Sequence, residues 1–126
     1  EIDLWRREKE KYVFTIEHIL PEGERLPKEW VNMIANGDKE KAKKLQEQFV
    51  HKLGNLTLTA YNSNLSNLSF DKKRDRKDKS GKNIGYKNNL YLNGKIYPLH
   101  NKKEWTIEDI EKRTRILIDE AFKLFC

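Results

Sequence analysis

The sequence predicts an α+β fold that is mostly helical, with two short strands bracketing an inserted pair of helices. The runs VFTIE at 13–17 and LTLT at 56–59 are rich in β-branched and aliphatic residues, which favour strands. Proline, aspartate and glycine between these runs mark the starts and ends of two helices. With 126 residues, 37% of them hydrophobic and 37% charged, the chain is expected to form one soluble domain with a modest core.

Helix boundaries are clearest in the first half of the chain. Residues 1–11 are strongly charged and indicate a helical lead-in to the first strand. Pro27 can start a helix that Gly37 ends, since proline suits the first turn and glycine suits the residue after the last turn. Asp38 then has the side chain of an N-cap for a second helix, which is expected to run through Leu53.

The second half of the chain is expected to be helical around one further hairpin. A helix is predicted from about Asn62 into a basic segment at 71–87, and the Asn-Gly pair at 93–94 predicts a β-hairpin. Thr106 and Asp109 have the spacing of a capping pair at the start of a closing C-terminal helix. One face of this helix is expected to be buried, and it carries Ile107, Ile110, Thr114, Leu117, Ala121 and Leu124.

Positive charge is concentrated in one segment of the chain. The formal net charge is +6, and residues 71–87 alone hold eight basic residues against three acidic ones. Such a segment suits the phosphate backbone of a nucleic acid, because each bound phosphate releases condensed counterions. A solvated surface helix is the alternative interpretation.

Cysteine usage and the lack of apolar stretches indicate where the chain works. Cys126 is the one cysteine, which excludes an internal disulfide and a cysteine-based zinc site and fits a reducing cytoplasm. The sequence has no apolar signal stretch and is too polar for a membrane span. It begins without an initiator methionine, as a fragment of a longer protein would.

Glu17 and His18 stand where the first strand ends, directly before a segment that Pro21 turns out of regular pairing. Hydrolysis of a phosphodiester needs a base that works near neutral pH and a divalent cation that absorbs negative charge. His18 can be the base, while Glu17 and an asparagine amide oxygen are suitable ligands for Mg²⁺. A surface histidine and asparagines that cap a helix would give the same pattern.

Four motifs together resemble a known nuclease domain. They are IEHILP, HKLGNLTLTAYNSNLSN, F-x-K-K and W-x-x-x-x-I-x-x-R, and they extend from about Thr15 to the last helix. The chain is similar to the HNH-type nuclease domain at the C-terminus of GmrSD-like modification-dependent (type IV) restriction endonucleases. The resemblance implies a ββα-metal (His-Me finger) core, DNA as the substrate, and an N-terminal nucleotide-hydrolysing domain in the full-length protein. Residues 1–126 would then form a single HNH-like nuclease domain.

The resemblance also implies roles for individual residues. His18 falls on the general base, and Glu17 falls on the acidic metal ligand. Asn55 falls on the middle asparagine, whose task is to hold the active-site loop and orient the histidine. The remaining ligand of a Mg²⁺ ion, or of another divalent ion such as Mn²⁺, is Asn62 by the YNSxLSN pattern. It is Asn64 by the generic HNH spacing of nine residues after the middle asparagine.

Supporting roles are expected from residues around these motifs. His51 is a candidate for orienting the site through its second ring nitrogen, and Asn67 is a candidate for a supporting contact or a contact with substrate. A structural histidine and a local hydrogen bond to backbone are the alternatives. Lys72, Lys73 and Arg76 are expected to bind DNA phosphates. Two functions follow: a metal-dependent DNA endonuclease of an anti-phage defence system, or a catalytically silent DNA-binding module of a larger defence protein.

Overall fold

The computed structural model describes residues 14–60, 65, 67–87 and 97–125. Within these ranges the α+β prediction is confirmed, with one pair of strands and four α-helices. Short 3₁₀ turns lie at Leu53–Asn55 and Leu99–Asn101. The larger elements follow in the order β1 (Phe14–His18), α1 (Lys28–Ala35), α2 (Lys39–Phe49), β2 (Leu56–Ala60), α3 (Phe70–Asp75) and α4 (Ile107–Phe125).

The two strands pair antiparallel, and their register separates a buried face from an exposed one. Glu17 lies opposite Thr57, whose side chain is buried, as is that of Thr59 on the same face. The other face carries Ile16, which is 68% exposed, and its neighbour two positions on, His18. The period of two therefore turns the adjacent residues Glu17 and His18 to opposite sides of the sheet.

The inserted helical pair begins and breaks largely where its sequence predicts. Asn36 adopts a left-handed conformation with φ of 51°, and Gly37 follows with φ of 91°, so the chain reverses between α1 and α2. Asp38 accepts a hydrogen bond from the backbone of Lys41 at 3.1 Å, which confirms the predicted N-cap. Trp30 of α1 is fully buried in the core.

Helix α2 ends at Phe49, earlier than the predicted end at Leu53. Continuing the helix would require the carbonyl of Val50 to accept a hydrogen bond from the amide of Gly54. Instead, the Val50 carbonyl accepts from the side chain of Asn55, and the Gly54 amide donates to the hydroxyl of Thr114. Asn55, five residues after Val50, and Thr114 of the C-terminal helix therefore replace one helical hydrogen bond and turn the chain into the 3₁₀ turn.

The third helix is shorter than the sequence indicated, because it starts at Phe70 rather than near Asn62 and ends at Asp75. The described residues before it, Leu65 and 67–69, are not helical; Leu65 is buried, and the carbonyl of Leu68 accepts a hydrogen bond from the indole of Trp30. The lead-in at 1–11, Asn62 to Asn64 and the hairpin at 93–94 lie outside the described residues.

Helix α4 opens with the predicted capping pair. The carboxylate of Asp109 accepts from the amide of Thr106 at 3.0 Å, and the Asp109 amide donates back to the Thr106 hydroxyl at 3.4 Å. The helix packs against the 3₁₀ turn so closely that a Cβ on Gly54 would lie 2.1 Å from the Ile110 carbonyl oxygen. Only a glycine fits this crossing.

The predicted apolar face of α4 is buried only in its first half. Ile110 is fully buried, whereas Leu124 is 80% exposed and Ala121 is also exposed, so the prediction is wrong for the last turns. The core next to the first turns is aromatic, and Trp105 stacks on Phe70 with ring centroids 5.9 Å apart. Among the described residues, no helix is both long and apolar enough to cross a membrane.

Candidate functional site

Asn55 ties the segment that follows His18 to the interior. Its amide oxygen accepts from the Leu20 amide at 2.8 Å and from the indole of Trp105 at 3.1 Å. Its amide nitrogen donates to the carbonyls of Leu20 and Val50, at 3.0 and 2.9 Å. All four hydrogen-bonding positions of this fully buried side chain are used, so the backbone just beyond His18 has little freedom.

Lys73 holds the same strand end from the opposite side. Its ammonium group donates to the carboxylate of Glu17 and to the carbonyl oxygens of His18 and Ile19, each at 2.9 Å. The side chain is fully buried, and burial lowers the pKa of the Lys73 ammonium although the Glu17 carboxylate opposes this shift. The three donors match the three acceptors, so the buried charge is satisfied.

This position corrects one prediction, since Lys73 was expected to bind a DNA phosphate. A fully buried ammonium that already donates to three oxygens has no surface to offer to a phosphate. The reason is the geometry of α3, which turns Lys73 towards the strand end and leaves its neighbour Lys72 exposed. The sequence shows two adjacent lysines of equal charge and does not indicate which of them is buried.

Glu17 faces the interior and completes a buried network with Lys73 and Tyr86. Its carboxylate oxygen Oε2 accepts both the Lys73 ammonium and the Tyr86 hydroxyl, the latter at 2.7 Å. Burial raises the pKa of Tyr86 well above its usual value, so the phenol keeps its proton and remains a donor. Tyr86 was not predicted as a site residue, and no local sequence signal connects residues 69 positions apart.

His18 lies on the outer side of the strand end, close to a second histidine. Its Nε2 is 3.2 Å from Nδ1 of His51, and the two rings meet edge to face with centroids 5.1 Å apart. Its Nδ1 is 3.7 Å from a carboxylate oxygen of Glu22. One ligand atom from each of these three residues lies within 4.8 Å of the others, so the group could bind a metal ion. We call it the His-Glu-His group.

Glu22 is the member of this group that sequence reasoning missed. It stands four residues after His18, but a spacing of four brings side chains together only in a helix, and the segment between them is not helical. The side chain of Glu22 is 60% exposed, whereas that of His18 is 20% exposed. The group is therefore open to solvent on its Glu22 side.

A shallow cleft of about 260 Å³ lies over the strand end. Asn67, a predicted supporting residue, lines this cleft. A larger cleft of about 740 Å³ lies between α1 and α2 and contains none of the predicted site residues. The smaller cleft is lined by Ile16, Glu17, His18, Pro21, Glu22, Gly23 and Asn67.

Six of the eight basic residues at 71–87 have exposed side chains. Arg74 and Lys87 both pair with Asp75, at 2.9 and 3.0 Å, and the hydrogen bond from Arg74 holds the pKa of Asp75 far below its ordinary value. Lys72 and Arg76, which were predicted to bind DNA, are both exposed. Because one of the eight basic residues is buried, as described above, the surface carries slightly less positive charge than the sequence count suggests.

Arg113, at the end of the W-x-x-x-x-I-x-x-R motif, is buried behind the site. Its guanidinium donates to the carbonyls of Gly54 and Leu56, at 2.9 and 2.6 Å. Burial lowers the pKa of Arg113 to about 10. This side chain joins α4 to the start of β2, so it supports the strand pair that carries Glu17 and His18.

Comparison with known proteins identifies a family. A family model described as the C-terminal domain of GmrSD restriction endonucleases matches residues 3–120. No curated protein and no solved structure matches the chain.

Proposed function

The chain belongs to the family of GmrSD restriction endonuclease C-terminal domains, and on that basis we propose that it is an HNH-type, metal-dependent DNA endonuclease domain. Membership in this family makes a nuclease function and a DNA substrate the starting point. The observation that carries the proposal is the position of His18, which lines an open cleft while Asn55 and Lys73 hold the backbone around it.

His18 is the proposed general base. Imidazole is the side chain best suited to accept a proton near neutral pH, and here it would take the proton of a water molecule that attacks phosphorus. The 3′ or 5′ oxygen of the cleaved bond then leaves. His51, 3.2 Å away, restricts rotation of the His18 ring and is a positioning residue in this scheme.

The strand pair and α3 are the proposed ββα-metal core. Support comes from Lys73, through which α3 packs on the end of β1 next to the proposed base. Asn55 takes the positioning role that the resemblance implied, because its side chain holds both the segment after His18 and the residue before His51.

The proposed metal ion is Mg²⁺ or Mn²⁺, held by Glu17 together with Asn62 or Asn64. Carboxylate and amide oxygens are the donors that these ions prefer, and Glu17 and Asn67 supply such oxygens to one cleft. Glu17 already accepts hydrogen bonds from Lys73 and Tyr86, so an ion would share this carboxylate with them. When bound, the ion would neutralise charge on the phosphate and the leaving oxygen.

DNA binding is assigned to Lys72 and Arg76, the two predicted contacts whose side chains are exposed. We further propose that residues 1–126 are a single domain that works in the cytoplasm. A nucleotide-hydrolysing domain would precede it in the full-length protein.

A plasmid-nicking assay tests the proposal. We expect conversion of supercoiled to nicked or linear plasmid with Mg²⁺ or Mn²⁺, and none with EDTA. Titration of Mg²⁺ against Asn62→Ala and Asn64→Ala identifies the ligand, since loss of one ligand raises the Mg²⁺ concentration needed for activity. A chain that binds plasmid but leaves it intact with both ions would instead be the silent DNA-binding module.

A further inference from the structure

The His-Glu-His group is a second place where a cation can bind, separate from the carboxylate that we assign to Mg²⁺. We propose that His18, Glu22 and His51 bind a borderline divalent cation such as Zn²⁺, and that this ion inhibits the nuclease by occupying its base. The claim that zinc inhibits the nuclease rests on the proposed function of His18. The claim that zinc binds to the three residues does not depend on that function.

The spacing of the two histidines fits a shared ion. Zinc binds imidazole nitrogen at about 2.0–2.1 Å, so two such nitrogens on one ion lie about 2.9 Å apart at a right angle and about 3.4 Å apart at a tetrahedral angle. The observed separation of Nε2 of His18 and Nδ1 of His51 is 3.2 Å. This distance falls between the two values, so the separation matches a shared ion. The Glu22 carboxylate, now 3.7 Å from the other ring nitrogen of His18, Nδ1, would move towards Nε2 to join it.

The donor set favours zinc over magnesium. Two imidazole nitrogens and one carboxylate oxygen suit Zn²⁺ and similar ions, whereas Mg²⁺ prefers oxygen donors throughout. Two histidines and one glutamate leave a fourth position for water, as in other open zinc sites. Glu22 can adjust to an ion because its side chain is 60% exposed.

The backbone beside each of the three ligands is already anchored. The side chain of Asn55 binds Leu20, two residues after His18, and Val50, the residue before His51. The loop around Glu22 is held by buried Gln46, whose amide donates to the carbonyls on either side, those of Pro21 and Gly23, at 2.6 and 2.9 Å. Ligands on a fixed backbone lose less entropy when an ion binds.

Coordination and base catalysis exclude each other at His18. A neutral imidazole has one ring nitrogen with a free lone pair, and an ion that takes this lone pair leaves none to accept a proton from water. Zinc bound to the His-Glu-His group should therefore stop cleavage that Mg²⁺ supports. Mg²⁺ at Glu17 would use oxygen donors of the same cleft, so it does not compete for the two imidazole nitrogens.

Direct zinc binding tests the site without DNA or activity. The wild-type chain is titrated with Zn²⁺ in competition with a chromogenic chelator, and Glu22→Gln and His51→Ala are compared with it. We expect each variant to lower zinc affinity at least about tenfold, and Glu24→Gln, an equal charge change two residues away in the same loop, to leave it unchanged. Binding that neither variant weakens, or no binding at all, would overturn the site.

A nicking assay then tests the inhibition. Zn²⁺ is added at fixed Mg²⁺, and each variant is compared with its own rate without zinc. We expect zinc to inhibit the wild type and Glu24→Gln alike, and Glu22→Gln to need at least about ten times more zinc for half-inhibition. Equal inhibition of Glu22→Gln would refute the mechanism. If the wild type does not nick with Mg²⁺ alone, the proposed function fails, and the binding titration still decides the site.

Discussion

The two faces at the end of β1 show how neighbouring residues can serve different purposes. On the inner face, Glu17 is locked into a buried network with Lys73 and Tyr86. On the outer face, His18 meets two exposed partners, His51 and Glu22, although both strand residues line the same cleft. The difference shows that a charge buried behind a site stabilises the backbone, while the partly exposed side chain one residue later remains available for chemistry.

The largest expected effect is the loss of catalytic rate when His18, on the outer face, is replaced. His18→Ala should lower the nicking rate roughly 10²–10⁴-fold, because the attacking water loses its base. The midpoint of urea unfolding should change little, since the His18 side chain is partly exposed. His100→Ala is the matched control, as His100 lies in the 3₁₀ turn Leu99–Asn101 and does not line the cleft. Equal single-turnover rates for His18→Ala and the wild type would remove the base assignment.

Substitutions on the inner face should lower the stability of the fold. Lys73→Ala leaves the Glu17 carboxylate without its buried partner and should destabilise the fold by about 3–5 kcal/mol in urea unfolding. Lys72→Ala, the adjacent exposed lysine, should change stability by less than about 0.5 kcal/mol.

A double variant sharpens this test of the inner network. Combining Lys73→Met with Glu17→Gln removes both charges and should recover much of the lost stability, because no unpaired charge stays buried. If Lys73→Ala and Lys72→Ala destabilise equally, the ammonium of Lys73 is not buried as described, and the contrast between the two faces fails.

A smaller effect is expected on DNA affinity. Replacing Lys72 and Arg76 with glutamine should weaken binding to all sequences alike and reduce the slope of log affinity against log salt by up to about 1.8. Arg74 is paired with Asp75, so Arg74→Gln should change the slope less. Filter binding at several salt concentrations measures this. An unchanged slope for the double variant would show that this surface does not bind DNA phosphates.

The smallest effect concerns pH and a buried charge remote from the cleft. Burial opposes ionisation of Asp109, but hydrogen bonds from Lys102, Thr106 and Tyr97 outweigh it and lower the pKa of this carboxyl. A lowered folded-state pKa adds stability above the ordinary carboxyl pKa, and this is lost as pH falls through the folded value. Unfolding measured from neutral to acidic pH should therefore be less acid-sensitive in Asp109→Asn than in the wild type. An identical pH dependence would contradict this.

Local sequence signals were sufficient to predict the two strands, the start of α2 at Asp38, and the capping pair of Thr106 and Asp109. Each depends on residues at most a few positions apart, and the hydrogen bonds of both caps span three residues. The candidate base also follows from local sequence, because His18 ends a strand in a recognisable motif. The end of α2 does not follow from local sequence, since Thr114, 60 positions from Gly54, accepts the amide hydrogen bond that would continue the helix.

The sequence by itself therefore determined the α+β class, the helix caps and the family, which depend on short-range pattern and motif. Only the tertiary structure decided that Lys73 is buried rather than available to DNA, and that Glu22 joins His18 and His51. The pair Lys73 and Glu17 is separated by 56 positions, and His18 and His51 by 33. Burial and proximity across such separations arise from packing of the whole chain, so composition and local spacing do not predict them.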